Sequence, residues 1–117
     1  VIFKKNIEFE TAFFEAIVKD RPQYVDALIP LAEAYTRQGL HDKGLTIDKR
    51  LAKLRKEDPI VHYNLACSYA LTGRKKEALS ALSRSIRLGY RDFNHIRSDK
   101  DLKILHNEPR FKKLVSN

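Results

Sequence analysis

Four residues of this chain recur together at one fixed interval. Leu31, Ala32, Tyr35 and Gly39 return as Leu65, Ala66, Tyr69 and Gly73, each 34 positions later. A period of this length, set in an apolar pattern of helical spacing, constrains the fold to stacked helical units. Each unit has an apolar face that it cannot bury alone, so it must pack on its neighbours. At 117 residues the chain has room for one compact array of a few units.

Helical spacing runs through the chain, and short Gly, Pro, Asn and Asp punctuation divides it. A first helix is expected from about residue 5 to 20, with Phe9, Phe13, Phe14 and Ile17 on its apolar face. A second is expected over 22–38, with Pro22 in its first turn, where the missing N–H costs nothing. Leu28, Leu31, Ala32 and Tyr35 form its apolar stripe, and Pro30 should remove one hydrogen bond from its interior. Helices over 41–56, 59–72 and 75–88 follow, the last two closed by Gly73 and Gly89.

This register resembles the tetratricopeptide repeat. The resemblance covers residues 9–92, with repeats at 25–58 and 59–92. Ala32 and Ala66, with Gly44 and Ala78, match the small positions where the two helices of a hairpin cross. Tyr35 and Tyr69 match the aromatic position between repeats, and Gly39 and Gly73 the turn. Two departures stand out. Leu28 and His62 occupy a position the family gives to tryptophan, and Asp48 stands where Leu82 meets the family's preference for a bulky apolar residue.

The resemblance implies an all-α, right-handed solenoid of antiparallel helix hairpins with a C-terminal helical cap. Residues 1–24 would form a preceding helix, and 93–117 the cap. In that last segment the repeat motif is lost. It is similar to the terminal extension of many bacterial repeat proteins, and Phe93, Ile96, Leu102, Leu105, Phe111 and Leu114 are expected to cover the end of the stack. Ser98 or Asp99, and Asn107, are its expected N-caps.

In such repeats the first helix of each hairpin lines a concave groove that holds a peptide or protein partner. Carried over, the first repeat offers Asp26, Ile29, Pro30, Glu33, Thr36 and Arg37. The second offers Ile60, Tyr63, Asn64, Cys67, Ala70 and Leu71. Tyr63 and Leu71 are expected to project into the groove and not into the core. Asp26, Pro30 and Ile60 break the cationic pattern by which some repeats clamp a terminal carboxylate. The other reading of these positions is that they are merely exposed, or covered by the tail or by a neighbouring repeat.

Catalytic and metal chemistry find little in the residues. His41, His62, His95 and His106 make no helical pair with a second ligand, so no metal is expected, and His62 reads as a structural histidine. Cys67 is alone, which excludes an internal disulfide. There is no Gly-rich phosphate loop, and Glu8 and Glu15 read as solvated carboxylates. No cofactor is expected, and the chain reads as a non-catalytic interaction module of a larger, bacterial, cytoplasmic assembly. Val1 in place of a methionine suggests a fragment, and no apolar run reaches the roughly 18 residues of a membrane span.

Charge frames the alternative. Residues 1–48 hold 6 Lys/Arg against 8 Asp/Glu, and residues 49–117 hold 17 against 7, within a net charge of +8. Lys49, Arg50, Lys53 and Lys56, with Arg84 and Arg87, could serve a basic adaptor that touches nucleic acid or another anionic surface. Interleaved aromatics for base stacking are missing, and a solubilising surface explains the same residues. Self-association through the terminal helix is a third reading.

Overall fold

The structure is a computed structural model that describes residues 2–116, with side chains from residue 6 onward. It is all-helical. Five longer helices come first: α1 (Ile2–Asp20), α2 (Val25–Arg37), α3 (His41–Leu54), α4 (Pro59–Leu71) and α5 (Lys75–Arg87). A compact tail follows, made of α6 (Phe93–Ser98), a 3-10 helix (Lys100–Leu105) and α7 (Pro109–Leu114). Each long helix packs on the next in sequence, and the 3-10 helix folds back onto α4.

The recurring Tyr and Gly have a local cause. Gly39 and Gly73 adopt φ of +75° and +80°, a region that a Cβ makes costly. The turn lets Leu40 N–H reach the Tyr35 carbonyl at 2.9 Å, and Arg74 N–H the Tyr69 carbonyl at 2.8 Å. This is the Schellman closure of a helix, and it fixes the four-residue interval between the tyrosine and the glycine. Helix starts are less uniform. Asp58 caps α4 through its carboxylate, which accepts from Ile60 N–H at 2.9 Å, with Pro59 as the first helical residue. Pro22 lies outside α2 instead of in its first turn, and its carbonyl accepts from Arg50 at 3.2 Å.

The apolar stripes meet in two adjoining clusters. Leu28, Leu31 and Tyr35 of α2 join Ile47 and Leu51 of α3, with Val18 from α1 and Val61 from α4. Leu65 and Ala66 of α4 and Leu79 and Leu82 of α5 form the second cluster with the tail. Ile96, Leu102 and Leu105 are wholly buried there, and Phe111 nearly so. Burial of each such side chain contributes about 1.5–3 kcal/mol, so this short tail is a substantial part of the core. Phe93 and Leu114 pack on it half-buried.

Two further local expectations fail, the first in part. Ile7, Thr11 and Val18 are the buried residues of α1, and Phe14 and Ile17 pack half-buried against the core as expected, while Phe9 and Phe13 stand 74% and 52% exposed. The two phenylalanines satisfied helical spacing, but the packing of α2 chose the stripe offset from theirs. Asn107 is not the cap of α7. Glu108 takes that place without a side-chain bond, while Asp92 and Asp99 cap α6 and the 3-10 helix through their carboxylates.

Candidate functional site

A cleft of about 620 Å³ opens between α2 and α4, floored in part by α3 and closed at one end by the tail. Nine of the twelve positions assigned to a groove from the repeat register line it. From α2 these are Ile29, Glu33, Thr36 and Arg37; from α4 they are Ile60, Tyr63, Asn64, Cys67 and Leu71. Asp26 and Pro30 lie off its lining, and Ala70 is buried in the core. Helical geometry explains the set, because residues three and four apart share a face.

The two walls differ in character. Ile29, Glu33 and Arg37 on α2 are exposed, as are Ile60 and Asn64 at the start of α4. Tyr63 and Cys67 are buried, contrary to the expectation that Tyr63 stands free of the core. The Tyr63 ring stacks on Tyr90, with centroids 4.4 Å apart and planes 2° from parallel. Its hydroxyl donates to Asp99 Oδ2 at 2.5 Å. Burial first, then the bond to Asp99, raises the Tyr63 phenol well above its ordinary pKa. Burial and the neighbouring Asp99 and Asp101 likewise raise the Cys67 thiol, so it is protonated at neutral pH and a poor nucleophile.

Of the acidic lining, sequence reasoning placed Glu33 and missed the aspartates. Asp48 of α3 sits in the cleft floor at 5% exposure, and Ser68 Oγ donates to it at 2.5 Å. Burial raises its carboxyl from 3.8 to about 6, against the lowering effect of the Ser68 bond. The signal was present, since Asp48 stands one period before Leu82, at a register position that asks for an apolar residue. The tail adds Asp99 and Asp101, together with His95, whose Nε2 lies 3.3 Å from Asp99. Burial and the repulsion of Asp99 raise Asp101, and His41 and His95 oppose the shift. A groove met by the tail was the alternative reading of these positions, but nothing in the local sequence foretold that Asp99 and Asp101 would be the residues brought to it.

Several other assignments find their places. His62 is buried, with Nε2 2.8 Å from the Lys56 carbonyl, a bond that requires the Nε2–H tautomer. Glu15, expected in solvent, instead accepts from the Tyr35 hydroxyl at 2.5 Å. Burial and this carboxylate raise Tyr35 to about 12. Lys49, Arg50, Lys53 and Lys56 all lie outside the cleft lining. Among the described residues no group of three or more His, Cys, Asp or Glu side chains is placed to hold a metal ion.

No family model matches the chain. A stretch of 59 residues, half of the chain, is 39% identical to a chloroplastic protein of Arabidopsis thaliana. The chain covers 18% of that protein's length. A chloroplastic relative lends no support to a cytoplasmic location. Among the described residues no helix is long and apolar enough to cross a membrane.

Proposed function

We propose that this chain is a non-catalytic recognition module, built of two tetratricopeptide-like hairpins, α2–α3 and α4–α5, and a helical cap. Its cleft receives a peptide segment of a partner protein. The observation that carries this reading is the convergence of nine register-assigned side chains on one cleft. The register was assigned without reference to shape, so their meeting is independent support. The cleft falls within the ~300–1,000 Å³ of small-ligand pockets and holds exposed Ile29 and Ile60, at 40% and 54%. Asn64 beside them offers an amide to a peptide backbone.

The cleft also weighs against a nucleic-acid ligand at this position, since it carries five carboxylates and a single Lys/Arg, Arg37. A basic adaptor would use other surfaces. Panning a displayed random dodecapeptide library on the immobilised chain tests the proposal. Peptides should be enriched, and Ile29→Ser with Ile60→Ser should weaken their binding about tenfold or more while leaving helicity unchanged. These exposed residues are better probes than Tyr63, whose loss would unseat the tail. Peptides that bind the double variant as well as the parent chain would refute the cleft as the site.

A further inference from the structure

The cleft's charge is opposite to that of the chain around it. The chain carries 23 Lys/Arg against 15 Asp/Glu, yet Glu33, Asp48, Asp58, Asp99 and Asp101 line the cleft against Arg37 alone. Arg37 is already paired, with Nη2 2.5 Å from Glu10 of α1. Asp58 and Asp99 are occupied by the structure itself, through the cap of α4 and through Tyr63 and His95. Glu33, Asp48 and Asp101 make no salt bridge among the described residues, although His41 and His95 lie near enough to Asp101 to oppose the rise of its carboxyl. Asp48 accepts one hydrogen bond from Ser68 while almost fully buried, and ordinarily a buried carboxylate is paired with a cation.

Resting on the recognition reading above, we propose that the partner segment is cationic and apolar. A lysine or arginine of the segment meets Glu33, Asp48 and Asp101, and a neighbouring apolar side chain rests on Ile29 and Ile60. Charge complementarity argues for this occupant, and the surrounding field makes it specific. The chain's net +8 repels a basic peptide at long range, so non-specific attraction cannot imitate the site. An acidic segment would be drawn to the outer surface and rejected by the cleft.

The same panning experiment supplies the test, now read by charge. The enriched dodecapeptides should carry Lys or Arg next to an apolar residue. In fluorescence anisotropy, changing that Lys or Arg to Gln in the peptide should cost about tenfold in affinity, the scale of a charge-assisted contact. Glu33→Gln with Asp101→Asn in the protein should cost a similar factor. Glu33→Gln alone sits at an exposed position and should weaken binding without disturbing the thermal melt. Enriched peptides that are neutral or acidic, lost on Ile29→Ser with Ile60→Ser yet indifferent to the carboxylate changes, would overturn this inference and leave the cleft reading standing. Binding indifferent to both sets of changes, or no enrichment at all, would overturn both. Concentration-dependent dimerisation that Glu33→Gln with Asp101→Asn abolishes would make a second copy the occupant and overturn the peptide.

Discussion

Positions 34 residues apart share a register but not an environment. Ile29 and Glu33 on α2 face solvent, whereas Tyr63 and Cys67 on α4, one period later, are buried. The difference is the tail. Among the described residues α1 packs on α2 but leaves Ile29 and Glu33 exposed, whereas the 3-10 helix lies on α4 and brings Asp99 to the Tyr63 hydroxyl. A repeat therefore fixes which residues share a helix face, and the neighbour that follows decides whether that face is wall or core.

Removing the tail is the strongest way to break this contrast. A chain ending at Arg91 loses Ile96, Leu102 and Leu105, all wholly buried. It should aggregate and lose its cooperative melt, as read by light scattering and circular dichroism. A soluble monomer of unchanged melting temperature would mean that α4 is as self-sufficient as α2.

Ala32 and Ala66, which the resemblance would make helix crossings, give a graded version. Ala66 has no exposure and Ala32 has 6%. Ala66→Leu should cost about 1–3 kcal/mol by overpacking, and Ala32→Leu should cost less. Equal effects in urea titrations would mean that the two hairpins cross with equal clearance.

Asp48 and Leu82 form the next pair in register. The Asp48 carboxyl titrates near 6 in the folded chain against 3.8 ordinarily. The folded state thus holds this proton more tightly than the unfolded chain does. Stability from this group is greatest below about pH 4 and is lost as pH rises towards 6. Asp48→Asn should therefore stabilise the protein at pH 7.5, on the order of 1–2 kcal/mol, and do little at pH 4. A pH-independent effect in paired melts would show that the carboxylate is not ionised against its surroundings.

Gly44 and Ala78 form the mildest comparison. A Cβ at Gly44 would meet Thr36 Oγ1 at 3.7 Å and Tyr35 Cβ at 3.8 Å, ordinary contacts. Gly44→Ala should stabilise by about 0.4–1 kcal/mol, since alanine loses less chain entropy in a helix. Destabilisation in a denaturant titration would place the crossing tighter than these distances allow.

Much of this architecture was legible residue by residue. The Schellman closures at Gly39 and Gly73, the cap at Asp58 and the stripe of Leu28, Leu31 and Tyr35 follow from local chemistry. The inclusion of Ile29, Glu33, Asn64 and Leu71 in one cleft was implied by the resemblance to the repeat family and not by local chemistry. The sequence could also say that the tail would be apolar enough to be buried. It could not say which edge of the α1 stripe would be buried: Phe14 and Ile17 pack on the core, and Phe9 and Phe13 do not.

What remained for the tertiary structure was every pairing between distant elements. Tyr63 with Asp99, Ser68 with Asp48, and Tyr35 with Glu15 are separated by 36, 20 and 20 residues. Helix ends and helix faces are set by neighbours within about four positions, through hydrogen bonds and side-chain periodicity. The charge of a cleft is set by whichever segments the whole chain's packing brings to its rim. A basic sequence therefore encloses an acidic site, and only the folded chain reveals it.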